Sequence, residues 1–178
     1  MSKESFFLKS VLHNVNTMKH SLACLLLVVS LTVPALADTL KIPEDKPLAS
    51  ITFPDGWKAV LGGEGITASS EDGEVLLDVI TTNPAILGAS IDKAFALLHV
   101  KPEIDTWKDA KSTMNGMNVI KHTLDAKDGK GNAVKLTLTG VEVTKDKGVL
   151  VILRGTEEGQ KEHEAEVIGI LESIAAIK

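Results

Sequence analysis

Five consecutive apolar residues, Val149-Leu-Val-Ile-Leu153, follow a turn signal at Asp146-Lys147-Gly148. The run suits a strand. Alternate side chains of a strand point to opposite faces, so this segment carries apolar groups on both. Such a strand belongs in a sheet that is covered on both sides.

The remaining pattern supplies the sheet and its cover. Leu48–Phe53, Trp57–Leu61, Ile66–Ser69 and Val75–Thr82 read as strands, separated by Pro54-Asp55-Gly56, Gly62-Gly63-Glu64-Gly65 and Glu71-Asp72-Gly73. Pro presets φ and Gly permits positive φ, so these are turns with a physical cause. Asn83-Pro84 breaks the sheet. Ser90 is the expected N-cap of a helix carrying Ile91, Ala94, Phe95 and Leu98 at helical spacing and ending before Pro102. Residues 103–111 fit neither period, although Trp107 reads as an anchor into the core. Asn115-Gly116 signals a hairpin between this region and a strand at Met117–Ala126. Asp128–Gly131 is a loop, and Ala133–Val143 a longer strand. Lys161–Ile177 is expected to be helical, with Ala165, Ile168, Leu171, Ile174 and Ala175 on its buried face. Consecutive hairpins with two amphipathic helices predict an α+β domain, an antiparallel sheet with helices on both faces.

The start of the chain reads as an address. Lys19 and His20 precede an apolar run from Leu22 to Val33, and Ala35-Leu36-Ala37 follows it. This is the layout of a secretory signal peptide cut after Ala37, with Met18 as the expected start codon. The run is shorter than the roughly 20 residues a permanent transmembrane helix needs. Cys24 lies near the beginning of that run and not at its end, so a lipid anchor is not expected. The expected organisation is a leader over 1–37, an extended lead over 38–47 and a single domain over 48–178. Cys24 is the chain's one cysteine, so the exported body would have no disulfide, thiolate nucleophile or cysteine–metal site. At 178 residues and a net charge of −5, with a single arginine, the chain lacks the cationic footprint of a nucleic-acid binder.

Ile51-Thr-Phe-Pro-Asp-Gly-Trp57, the element order, and the closing Ile170-Leu-Glu-Ser-Ile174 resemble the PsbP-like superfamily. That group includes PsbP subunits of photosystem II, Ran-binding Mog proteins and bacterial DcrB-like envelope proteins. The resemblance implies an α–β–α sandwich and roles that are mostly non-enzymatic. Its exported bacterial branch fits the leader best, with Pro54, Gly56 and Trp57, along with Trp107, as structural anchors.

Chemistry has few places to reside. Asp78 shares a strand face with Leu76 and Ile80, His122 with Ile120 and Leu124, and Arg154 with Leu150 and Ile152. A charge on an apolar face costs several kcal/mol unless paired, so at least two of these are expected to meet. One reading is a polar pocket for a small anion or for acid–base work; the other leaves these groups in water at strand ends or uncovered faces, or pairs Asp78 structurally with Arg154. His163 and Glu166 stand at i, i+3 in a segment that reads first as a solvated acidic turn suiting a helix N-terminus and otherwise as a weak divalent-metal site, since position 167 is Val and the two-histidine zinc helix is absent. His99, near a helix end, reads as structural. The glycine-rich 62–65 segment lacks the following helix and Gly-Lys-Ser/Thr of a phosphate cradle. No cofactor is expected. The expected function is an exported, non-enzymatic protein acting by protein–protein contact in the bacterial envelope. The alternative is a periplasmic carrier of a small ligand or divalent metal.

Overall fold

The computed structural model of the chain describes residues 37–62 and 65–177. Residues 1–36, on which the expected leader with Met18 and Cys24 falls, and Gly63, Glu64 and Lys178 lie outside the described residues.

Among the described residues, ten strands form two antiparallel sheets. The elements run β1 (Asp38–Ile42), β2 (Ala49–Phe53), β3 (Lys58–Gly62), β4 (Gly65–Ser69), β5 (Val75–Thr82), a 3-10 turn (Pro84–Ile86) and α1 (Leu87–Leu97). There follow β6 (Lys101–Met114), β7 (Met117–Lys127), β8 (Ala133–Thr144), β9 (Lys147–Gly155), α2 (Glu157–Glu162), α3 (Glu164–Glu172) and β10 (Ala175–Ala176). The large sheet has the order β3-β4-β5-β9-β8-β7-β6, and the small one β1-β2-β10. Thus β9 keeps its hairpin with β8 and pairs β5 on its other edge, placing Asp78 opposite Ile152 and Leu76 opposite Arg154.

The two-sided strand behaves as its sequence requires. Val149, Val151 and Leu153 of β9 face one core with Ile51, Phe53, Leu77, Val79, Val167 and Ile170. Leu150 and Ile152 face the other, with Ile91, Ala94, Phe95, Leu136 and Leu138. Burying each such side chain contributes about 1.5–3 kcal/mol, so β9 ties both layers to the sheet. The helix α1 covers one face, while the small sheet and α2–α3 cover the other. The architecture is α+β, with helical layers on both sides of an antiparallel sheet.

Several expectations need correction. The lead over 38–47 is not a mere lead: Asp38–Ile42 is a strand registered against β2 from Asp38↔Phe53 to Ile42↔Ala49. Ser90 is not the N-cap. Asn83 takes that role, its Oδ1 accepting from Ala85 N at 2.9 Å, while Pro84 sits where a missing N–H costs nothing. Ser90 lies inside α1 and its hydroxyl meets that of Thr82 at 2.7 Å. Pro102 does not stop α1 either. The helix closes earlier on paired bonds, Val100 N to Phe95 O and His99 N to Ala96 O, with His99 in the left-handed region at φ 50°. Pro102 instead falls in β6, an edge strand that tolerates a missing donor.

The last helix is two. Thr156 Oγ1 caps α2 by accepting from Gly159 N, and the axis breaks at His163. Its buried face is Val167, Ile170 and Ile174, not the stripe through Ala165 and Ile168, and Ile168 is exposed. Beyond Ser173 the backbone becomes β10, because the free edge of β2 offers it partners at Ser50 and Ala49. Trp57 precedes β3, which begins at Lys58. The ambiguous 103–111 stretch is part of β6, with a register shift between Glu103 and Lys108. The Asn115-Gly116 turn has φ of 52° and 77°, the left-handed pair that joins β6 to β7 most tightly.

Candidate functional site

The three ligand candidates do not converge. Asp78, Ile152, Leu138 and His122 are successive partners across β5, β9, β8 and β7, so all face the α1 side. The fully buried Leu138 and nearly buried Ile152 stand between Asp78 and His122. Arg154, one position further along the same face, reaches Asp78 with Nη2 to Oδ2 at 3.0 Å. Thr67, directly opposite Asp78 on β4, donates its hydroxyl to Oδ1 at 2.9 Å. The structural pairing is the one that forms, and a pocket joining Asp78, His122 and Arg154 does not. Arg154 Nε is buried and has no protein partner among the described residues.

His122 belongs to a second cluster, on the β6–β7 hairpin. Asp109 lies opposite it in register, and His122 Nδ1 is 2.6 Å from Asp109 Oδ1. The indole of Trp107 also donates to that oxygen, and its ring lies 4.8 Å from the imidazole between centroids. Together these donors hold the Asp109 carboxyl below its usual range, with His122 the larger cause. A His held by a carboxylate at Nδ1 has the orientation of a general base, which needs a nucleophile at Nε2. Among the described residues no hydroxyl is hydrogen-bonded there. Trp107 is a half-buried flank of the α1 core, not a deep anchor.

The third cluster joins more distant parts of the chain. The Pro54-Asp55-Gly56 corner, with Gly56 at φ 90° and Trp57 N bonded to Pro54 O, delivers the Trp57 ring beneath α3. Its Nε1 donates to Glu166 Oε2 at 2.7 Å. His163, at the α2–α3 break, places Nδ1 3.0 Å from the same Glu166 oxygen and Nε2 3.0 Å from Asp72 Oδ2. Asp72 is itself set by the β4–β5 turn, where the fully buried Ser70 donates to Oδ1 at 2.6 Å and Glu74 N at 3.0 Å.

Carboxylates accept, so both contacts are hydrogen bonds when both imidazole nitrogens carry protons, and the geometry favours the imidazolium form of His163. Its pKa is raised by the Asp72 bond first and the Glu166 bond second, against a smaller opposing effect of burial. Glu166 is depressed, chiefly by the indole donor and then by His163. Asp72 falls far below the usual carboxylate range, mainly through Ser70, Glu74 N and His163.

His163 and Glu166 therefore do meet, as the i, i+3 spacing implies, but as an ion pair. A metal ligand needs an imidazole lone pair, and both nitrogens here face carboxylates. No group of three or more His, Cys, Asp or Glu side chains fit to hold a metal occurs among the described residues. Asp72 and Asp109 escaped the sequence reading. Asp109 sits two residues from Trp107, a detectable same-face spacing. Asp72 looked like an ordinary turn residue, and nothing local ties it to a histidine 91 positions away.

Open surface lies elsewhere. A groove of about 320 Å³ runs between α1 and the β3–β4–β5 side of the sheet, lined by Val60, Ile80, Ala94, Leu98 and Ile152, with Asp78 at its margin. Val60 is 67% exposed there. No helix among the described residues is long and apolar enough to cross a membrane.

No protein-family model matches the chain, and a search of curated proteins returns no match. Among solved structures it is similar to the cyanobacterial PsbP protein (CyanoP) of Synechocystis sp. PCC 6803. That match has a TM-score of 0.53 and 11% identity, over 83% of this chain and 96% of that one. It is also similar to LpqN of Mycobacterium tuberculosis, a protein involved in cell envelope biogenesis. There the TM-score is 0.52 and the identity 10%, over 80% and 92% of the two chains. The chain has a PsbP-like fold.

Proposed function

We propose that this chain is an exported, non-enzymatic protein that works by contact with a partner protein in the bacterial envelope. The observation carrying this reading is the open apolar groove beside α1, with Val60 two-thirds exposed at the sheet edge. Exposed apolar surface with a polar surround marks a contact site more often than a reaction centre. The titratable clusters support the same reading, because their groups are committed to one another: Asp78 to Arg154, Asp109 to His122, and Asp72 and Glu166 to His163. The leader over residues 1–37 supplies the route out of the cytoplasm, and the envelope role of the similarly folded LpqN agrees with that destination.

A photo-cross-linking residue at Val60, with a second at Lys130 on a distant loop, tests the proposal in living cells. The expected result is one discrete adduct from position 60 in the envelope fraction and none from position 130. Equal labelling from both, or a chain retained in the cytosol with its leader uncut, overturns it. A small-metabolite screen that raised the melting temperature while position 60 stayed unlabelled would favour the carrier alternative.

A further inference from the structure

Three polar side chains are buried among the described residues: Ser70, Thr137 and Thr139. Ser70 is fully engaged, donating to Asp72 and accepting from Val75 N. Thr137 and Thr139 are 7% and 4% exposed, and neither side chain makes a hydrogen bond to any described residue. A buried hydroxyl left without a partner costs stability, so two of them side by side need a reason.

Both stand on one face of β8 and line a cleft of about 320 Å³ between the sheet and α2–α3. Arg154 Nε is the one side-chain polar atom among the described residues that lacks both solvent and a partner, so the two threonine oxygens open on the cleft. The walls beside them are apolar. Register sets Val151 next to Thr139 and Leu153 next to Thr137, and α3 holds Val167, Ile168 and Leu171 over the same space. Gln160 of α2 donates to Lys135 O at 2.6 Å, which fixes that helix against β8.

The rim carries Lys121, Lys135 and Lys161 against Glu157 and Glu164, and Lys135 is 3.2 Å from Glu157 and 3.8 Å from Asp125. Neither sign dominates, so the mouth focuses no field on an ion. Threonine hydroxyls donate and accept without charge, and these two stand two residues apart on a strand, roughly 6.5–7 Å. The fitting ligand therefore has an apolar body and a neutral hydrogen-bonding head.

We propose that this cleft binds a small uncharged organic molecule, an apolar body bearing hydroxyl or amide groups, whose head bonds to Thr137 and Thr139. The groove at Val60 lies on the opposite face of the sheet, where β9 presents Ile152 instead of Val151 and Leu153, so the two sites are independent.

Amide chemical-shift titration of the full chain tests it, with 1,2-hexanediol and hexanamide as probes. Sodium hexanoate serves as the charged control and glycerol as a head without a body. The expected result is saturable shifts at Thr137, Thr139, Leu153 and Val167 with at least one neutral probe, and none with glycerol. A response to the diol alone assigns a hydroxyl ligand, and a response to hexanamide alone an amide. The double variant Thr137→Val/Thr139→Val keeps the side-chain shapes and loses no bond within the protein. It should match or exceed the parent's melting temperature while weakening the affinity by about tenfold or more. Ile168→Glu, at a residue 46% exposed, sets a carboxylate at the mouth and should weaken binding with the melting curve unchanged. Absence of saturable binding by either neutral probe overturns the proposal. So does hexanoate binding as tightly as the neutral probes, a lowered melting temperature or an unchanged affinity in the threonine double variant, or shifts that map to the groove at Val60.

Discussion

Trp57–His163 and Trp107–His122 are built from the same parts: an indole, an imidazole and a carboxylate that both donate to. They do different work. The first spans the β2–β3 corner, the β4–β5 turn and the α2–α3 break, and His163 holds two carboxylates at 3.0 Å each. The second lies within one hairpin and engages one carboxylate, Asp109, which is more than half exposed. Trp57 is 8% exposed and belongs to a core; Trp107 only flanks one. The lesson is that a hydrogen-bonded cluster braces a fold in proportion to the chain separation it closes and the water it excludes, not to the number of its bonds.

The strongest attempt to break this contrast is truncation of the two indoles. Trp57→Ala should cost about 3–5 kcal/mol in denaturant unfolding, as for other buried aromatics. Trp107→Ala should cost about 1–2 kcal/mol, because the ring only flanks its core and is already partly wet. Equal costs would mean that both clusters brace the core alike.

A finer cut keeps the ring and removes only the indole donor. Trp57→Phe leaves Glu166 without its principal donor and should destabilise the chain by about 1–2 kcal/mol, with a rise in the Glu166 pKa observable by carboxyl NMR. Trp107→Phe should leave stability unchanged within error, since water can replace the lost bond at Asp109.

Acidity sharpens the difference further. The His163 pKa is raised from 6.5, so its stabilising contribution is complete below that value and is lost as pH rises through the higher folded-state pKa. Asp72 and Glu166 are depressed, so their contributions are complete above about 4.5 and are lost as pH falls through the lower folded-state values. Asp55 and Glu71 face the same recess and add negative charge that favours the imidazolium. The melting temperature should therefore be highest between about pH 4.5 and 6.5 and fall by a few degrees toward pH 8.5. In His163→Gln the fall on the alkaline side should flatten. A parent-like slope in that variant would show that the pH dependence arises elsewhere.

The smallest expected effect belongs to the other histidine. His122→Gln should lower the melting temperature near pH 6 by less than His163→Gln does, measured by the same scans. An equal or larger loss would transfer the bracing role to the hairpin.

Much of the frame was legible in advance because it obeys local rules. Gly56 and Asn115-Gly116 mark turns by their backbone freedom, and the strand at 75–82 follows from period-two alternation. The misplacements have local causes too. Ser90 is a good cap in isolation, but Asn83-Pro84 opens a turn before it. The helix expected through Ile177 stops at Glu172 because β2 offers a free edge that no periodicity reveals. Of the candidate residues, Asp78 and Arg154 meet as the structural alternative had them, His163 and Glu166 meet as a hydrogen-bonded pair and not as the metal site they were read for, and His122 meets Asp109 instead of either.

The sequence by itself determined that a strand buried on both sides must lie within this chain, where its turns fall, and which charged residues would have to share a face with apolar ones. These are properties of spacing, and backbone geometry converts them directly into structure. Only the tertiary structure decided that β9 lies between β5 and β8, and from that one insertion follow the Asp78–Arg154 pair and the two strands separating Asp78 from His122. The same packing brings Asp72 to His163. Strand order is set by the burial free energy of whole competing arrangements, a sum over both cores that no short stretch of residues contains.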